Sequence, residues 1–321
     1  MKKKVVFLAY TDYANTMTHW SKCLNDNSEK ITSKIFAVRP HPYDYEIKHD
    51  GDLLDLSQDA WREMKFDIYD ADVIVVANEG GPAAPNGLIE RFDAPRGTKT
   101  IIRNPGTFYR DRYLRFNKES YRDKFHKILY TQDLWRLSPK ASKDIPMRSM
   151  HLFDFDKDDF ISSFKKKIDA KKWIVAHNPS SQKKKGTESI EEALRSASFD
   201  RDKIKVSLQK DKISHKDAIK KKSKCLFYID QFEPSIGGYG VSAVEALSLG
   251  CVVLSSTNNA VYGDNIISLG VDMKSLTKSI ESALNMTDEE LYEYAEKSAY
   301  VLERFYSQQA VCKNLERILL T

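Results

Sequence analysis

The sequence predicts an α/β protein with two Rossmann-like domains in series, each built of βαβ units around a parallel sheet. Three observations carry this. At 321 residues the chain is longer than one hydrophobic core usually serves, so two domains of roughly 150 residues each are expected. Short runs rich in Val and Ile alternate with longer segments of helical period. The alternation also starts twice, on either side of the acidic, poorly periodic stretch HLFDFDKDDF at 151–160. The domains are therefore read as 1–155 and 165–321, joined by a short link.

The first half offers strands at KVVFLAY (4–10), KIFAVR (34–39), DVIVVAN (72–78), KTIIRN (99–104) and KILYT (127–131). The second offers KWIVAHN (172–178), IKVSLQK (204–210), CLFYIDQ (225–231), GCVVLSS (250–256) and NIISLG (265–270). Their apolar runs are nearly continuous, as expected of strands covered on both faces. The segment 287–320 reads as helical throughout. It opens on Thr287 with Glu290 three residues later, which is a capping box.

Composition narrows the function classes. With 41% hydrophobic and 30% charged residues the chain is an ordinary globular protein. No apolar run approaches the roughly 20 residues that cross a bilayer. The apolar run after the basic start MKKK is too short for a secretory leader. Cys23, Cys225, Cys251 and Cys312 show no metal-ligand spacing and read as reduced, buried thiols, which gives a cytoplasmic expectation. The net charge of +5 is mild and does not imply a nucleic-acid partner. A local basic face is nevertheless expected at 91–127, where 11 basic and 4 acidic residues are interleaved with aromatics.

Two motifs carry the functional reading. In EPSIGGYGVSAVEALSLG (233–250) a strand is followed by a loop with glycines at 237, 238 and 240, and then by a helix. Glycine lets backbone approach a ligand closely, and the helix start offers unpaired N–H groups to phosphate. Glu245 lies one to two turns into that helix, placed to accept hydrogen bonds from a ribose diol. A tight turn followed by a solvated helix accounts for the same residues. In KWIVAHNPSSQKKKGTESIEEAL (172–194) a strand leads into a polar loop with lysines at 183, 184 and 185, and Gly186-Thr187 opens a helix. Lysine beside a helix N-terminus suits a diphosphate, and a solvated charge run is the plain alternative. Together the motifs place two phosphate-seeking loops at the strand C-terminal ends of one sheet, where open α/β sheets bind ligands.

On these residues the chain resembles the retaining nucleotide-sugar glycosyltransferases of the two-Rossmann-domain (GT-B) type, the large family of sucrose- and glycogen-synthase-like enzymes. The resemblance covers nearly the whole chain and fits a short branch with a G-x-Y-G loop. It implies an active-site cleft between the domains and a C-terminal helix packing back. It also implies a UDP-, GDP- or ADP-sugar as donor substrate, no obligatory cofactor or metal, and transfer with retained anomeric configuration. Lys185 and Arg110, the latter in GTFYR (106–110), become candidate catalytic residues, Lys185 on the leaving diphosphate and Arg110 on the diphosphate or the acceptor. Donor contacts are implied at Glu245, Gly237, Gly238, Tyr239, Gly240, Val241, Ser242, His177 and Gly186, and at Asp12, Tyr13 and Asn15 in the loop after the first strand. Thr107, Arg112 and Arg115 are candidate acceptor contacts. The chain departs from the family where Gly237 replaces a glutamate and Asn104 a histidine. DFDKDD (154–159) imitates a metal-binding D-x-D but reads as an acidic solvated loop.

The expected acceptor is a saccharide or a lipid-linked hydroxyl. A second reading is a phage-type transferase acting on hydroxymethylated DNA bases. Its residues would be Arg112, Arg115 and Arg122, with Phe108, Tyr109, Tyr113, Phe116 and Tyr121 for stacking; a solvated helix with inward aromatics fits the same stretch. A distant third is an NAD(P)-dependent oxidoreductase reading GYGVSA as a loose GxGxxA.

Overall fold

The first strand, β1 (Lys3–Ala9), buries alternate side chains on opposite faces. Val5, Phe7 and Ala9 meet helix α1 (Thr16–Asn27) through Met17, Trp20, Cys23 and Leu24. Val6 and Leu8 meet α2 (Gln58–Tyr69) through Met64 and Ile68. A strand with two apolar faces can sit only inside a covered sheet. Each fully buried side chain of this size contributes about 1.5–3 kcal/mol. The computed structural model describes residues 1–37, 45, 50–52, 58–77, 97–104, 106–131, 134–148, 155–234, 238–256 and 265–321. Among the described residues, no helix is long and apolar enough to cross a membrane.

The chain divides into two units, Met1–Leu152 with Gln308–Thr321, and Phe153–Ser307. The first holds a seven-stranded parallel sheet in the order β3-β2-β1-β4-β5-β6-β7, with β2 at Ile31–Ala37, β3 at Gly51–Asp52, β4 at Val73–Ala77, β5 at Lys99–Asn104, β6 at Lys127–Thr131 and β7 at Asp144–Met147. The second holds a five-stranded parallel sheet in the order β12-β11-β10-β8-β9, with β8 at Trp173–His177, β9 at Ile204–Leu208, β10 at Phe227–Ile229, β11 at Val252–Ser255 and β12 at Ile267–Ser268. Every expected strand is present. The two that sequence reading passed over, β3 and β7, are the sheet's edges. β7 carries Pro146, which cannot donate to a ladder and is tolerated at an edge.

Two helical boundaries, and the unit to which the last helix belongs, differ from expectation. The closing segment is two helices, α12 (Asp288–Phe305) and α13 (Gln308–Leu320), broken at Tyr306-Ser307. The Thr287–Glu290 capping box forms as expected. α13 belongs to the first unit rather than the second, where its Val311, Cys312, Leu315 and Ile318 pack with Phe7 and Trp20. The acidic run 155–159 is a helix start instead of a loop: Asp156 accepts from the Asp159 N–H at 2.9 Å and caps α6 (Lys157–Ile168), with Asp158 and Asp159 in its first turn.

The basic, aromatic stretch resolves into short helices α3 (Gly106–Arg110), α4 (Tyr113–Phe116) and α5 (Glu119–Arg122). Tyr109 and Phe116 are buried and stack at 6.1 Å, and Tyr113 and Tyr121 pack against the same cluster. Arg122 is buried too. Its guanidinium donates to Asp144 at 2.8 Å and to the Tyr130 hydroxyl at 3.0 Å. The aromatics therefore build a core, and the DNA reading loses Tyr109 and Phe116 as stacking platforms and Arg122 as a phosphate contact. Arg112 and Arg115 are exposed. Replacing Arg122 with alanine strands Asp144 as a buried charge and should lower stability by about 3–5 kcal/mol in urea titrations. A loss under about 1 kcal/mol would mean the pair is solvent-screened.

Candidate functional site

The phosphate-seeking loops of the second unit are tied together by backbone. After β8 the chain makes one helical turn, α7 (Gln182–Lys185), turns at Gly186, and enters α8 (Thr187–Ser196). Gly186 has φ +64°, and a Cβ there would lie 2.1 Å from the Phe232 carbonyl oxygen. Both the left-handed backbone and the close approach demand glycine. The Phe232 N–H donates to the Lys185 carbonyl at 3.0 Å, so the loop after β10 is latched to the lysine loop.

The three lysines have different fates. Lys183 and Lys184 point to solvent, whereas Lys185 is 16% exposed and its Nζ donates to Asp230 Oδ1 at 2.8 Å. Asp230 directly follows β10 and is 1% exposed. Its Oδ2 accepts from the Gly240 N–H at 3.1 Å and the Ser255 hydroxyl at 3.5 Å. Burial works against its charge, but the Lys185 ammonium and these N–H and ammonium donors hold the carboxyl below its ordinary value. Gly240 is the N-cap of α10 (Val241–Ser248) and, as glycine, offers that helix no capping side chain. A Cβ on Gly240 would lie 3.4 Å from Lys185 Nζ and 3.9 Å from Asp230 Oδ2. The ammonium and the positive end of the helix thus meet at one place, with one carboxylate between them. Such an arrangement attracts a further anion.

Glu245, in α10, is 3% exposed. Its Oε2 takes the Lys222 ammonium and its Oε1 the His215 Nε2 at 2.8 Å. Lys222 is 2% exposed and lies over the Tyr228 ring at 5.4 Å. Burial opposes its charge, yet Glu245 holds it above the ordinary lysine value. The Tyr228 hydroxyl pairs with Ser242 Oγ at 2.8 Å in the first turn of α10. Sequence reading treated Glu245 as a lone carboxylate and missed both partners. His215 and Lys222 are the ends of α9 (His215–Lys222), seven residues apart and so on one face. That spacing was the available signal, hidden by the run KKKSK.

Several of the residues expected to touch a ligand also hold the loops together. His177 Nδ1 bonds the Ile229 carbonyl at 2.8 Å and Nε2 bonds Thr187 Oγ1 at 2.9 Å. A carbonyl only accepts, so Nδ1 carries the proton and Nε2 accepts from the threonine. The ring pins β8 to β10 and to the start of α8. The Gly238 carbonyl accepts from Gln231 Nε2 at 2.6 Å, and buried Tyr239 shares a 3.2 Å hydroxyl pair with Tyr306. Val241 and Ser242 are half-buried in the first turn of α10. Gly237 lies outside the described residues.

In the first unit, Asp12 is a helix cap. Its carboxylate accepts from the N–H groups of Met17 and Thr18 at 3.0 and 2.7 Å and from the Thr18 hydroxyl at 2.8 Å. Burial raises its pKa although Arg103 and these bonds pull the other way. Tyr13 is exposed and Asn15 buried. Ala14 and Asn15 both have left-handed backbone, φ +55° and +52°. That conformation is unusual for alanine, costs about 1–3 kcal/mol, and is typical of ligand-contacting loops. Arg110, at the end of α3, is half-buried, and Thr107 lies in the same helix.

Solved structures resemble the whole chain. Anabaena HepE in complex with UDP and glucose matches with TM-score 0.64 at 12% identity, covering 98% of each chain. Sucrose-phosphate synthase from Thermosynechococcus elongatus matches at 0.60 and 11%, covering 99% of this chain and 98% of that one. A UDP-N-acetylglucosamine 2-epimerase matches at 0.50 and 14%, covering 100% and 96%. No family model matches the sequence, and no curated protein matches it by sequence. These likenesses establish the fold as GT-B, two Rossmann-like domains in series.

The His177 pin gives a pH test. Burial lowers its pKa beneath the ordinary histidine value of 6.5. Between its folded value and 6.5 the unfolded chain therefore binds more protons than the folded one, so stability rises with pH through that window and is complete above it. His177→Gln removes this titration. The stability gap between wild type and variant should narrow as pH falls from about 7 to about 5. A constant gap would place the pin elsewhere.

Proposed function

We propose that the chain transfers a sugar from a nucleotide-sugar donor to an acceptor hydroxyl. The observation that carries this is the meeting of the Lys185 ammonium with the N-terminus of α10, held by Asp230. A nucleoside diphosphate group fits that chemistry, with Lys185 moving from carboxylate to phosphate and the first-turn N–H groups of α10 receiving its oxygens. Further support comes from HepE, solved with UDP and with UDP-glucose. The fold alone does not select the reaction, since an epimerase shares it. The motif resemblance favours transfer.

In the reaction the bond from the anomeric carbon to the diphosphate oxygen breaks, and a bond from the acceptor oxygen to that carbon forms. The acceptor proton departs and the nucleoside diphosphate is released. Negative charge develops on the leaving diphosphate, where Lys185 and α10 stabilise it. Glu245 is proposed to meet the donor ribose, oriented by Lys222 and His215. By resemblance the configuration is retained, and the first unit serves the acceptor through Arg110, Thr107, Arg112 and Arg115. A saccharide or lipid-linked hydroxyl is favoured, since Tyr109, Tyr113, Phe116 and Tyr121, which DNA would need for stacking, pack into a core.

The test is a panel of UDP-, GDP- and ADP-sugars, read by calorimetric binding and by slow donor hydrolysis. Lys185→Ala alone is a poor probe because it strands buried Asp230. The double variant Lys185→Met/Asp230→Asn removes both charges. It should stay folded and lose about 1.5–3 kcal/mol of donor affinity. Unchanged affinity in the folded double variant would remove this corner from the site.

A further inference from the structure

Around the strand ends of the second unit, the polar side chains form a closed network. His177, Thr187, Asp230, Gln231 and Ser255 all have hydrogen-bonding partners within the protein. Asn178 is the exception. Its Oδ1 and Nδ2 are both buried and neither has a hydrogen-bond partner, and no other buried side chain among the described residues of this unit is in that position. Buried amides left unpaired on both atoms are rare and costly.

The position of Asn178 gives this a meaning. It follows His177 at the C-terminal end of β8, and His177 is pinned to the carbonyl next to Asp230 and to the start of α8. Asn178 therefore stands at the same strand edge as Lys185 and Asp230. Pro179 follows it and biases its backbone to extended conformations. Phosphate oxygens only accept, and could satisfy Nδ2 but leave Oδ1 unpaired. A hydroxyl both donates and accepts, and a sugar presents several.

We infer that Asn178 is a specificity-determining contact to hydroxyls of the donor's sugar, an inference that rests on the donor reading above. Its amide donates to one hydroxyl and accepts from a hydroxyl, which would supply a donor-sugar contact on the loop between β8 and α7.

Asn178→Leu tests this, because leucine nearly conserves volume and removes both polar atoms. Melting temperature is measured first. A variant as stable as wild type, or more so, is expected, since no internal hydrogen bond is lost. A clear fall in melting temperature would show the amide to be partnered within the fold and would overturn the assignment. Calorimetry then compares the nucleotide sugar that wild type binds with its bare nucleoside diphosphate, UDP-glucose and UDP being the first pair. The variant should bind the nucleotide sugar roughly tenfold more weakly and the diphosphate nearly as well. Equal affinity for the nucleotide sugar would overturn the assignment while leaving the donor reading intact. Equal losses for both ligands would move the contact from the sugar to the nucleotide and also overturn it. Wild type that binds no nucleotide sugar would remove the donor reading, and this inference with it.

Discussion

The second unit's functional edge depends on one buried carboxylate. Asp230 is nearly inaccessible, yet the Lys185 ammonium and the Gly240 N–H hold its carboxyl below its ordinary value against burial, and the Ser255 hydroxyl also donates to it. These donors come from the loop after β8, the loop before α10 and the end of β11. A single charge thus sets the relative positions of three segments distant in sequence. It also resolves an electrostatic conflict, since the Lys185 ammonium and the α10 N-terminus would otherwise repel one another. The pairing neutralises one positive group and leaves the corner attractive to a second anion.

The first unit uses a related device. Asp12, three residues after β1, turns inward and supplies the hydrogen bonds that the start of α1 lacks. In both sheets an aspartate just beyond a strand fixes the entry of a helix. In the first unit the carboxylate is occupied by the helix itself. In the second it holds the helix through the N–H of Gly240, an N-cap with no side chain of its own. The buried Lys222–Glu245 pair, with His215 at its outer end, anchors the middle of α10 in the same way. Breaking either member of such a pair would leave an uncompensated charge.

Most of the architecture was legible in the sequence because both sheets are covered on two faces, which gives strands such as VVFLA and VIVVA no polar positions. The edge strands Gly51–Asp52 and Asp144–Met147 lacked that signature. The register of the site was legible in part. Three adjacent lysines are equivalent in a sequence, and Lys185 differs only because Gly186 turns the chain against Phe232. Glycine at 186 marked that turn, but its partner loop could be found only in three dimensions. His177 and Asp12 were read as ligand contacts because of where they stand along the chain. Both are buried and hydrogen-bonded within the protein, a support role that their place along the chain does not reveal. The pairing of Glu245 with Lys222 and His215 was hidden because a lysine-rich helix reads as solvated.

The central claim is that the first turn of α10, beside Lys185, receives a diphosphate. It is tested most directly by amide NMR of isotope-labelled protein titrated with UDP-glucose. The N–H resonances of Gly240, Val241 and Ser242 should shift together and saturate with the same midpoint as Lys185 and Gly186. Saturable binding that leaves these five residues unmoved would contradict the account.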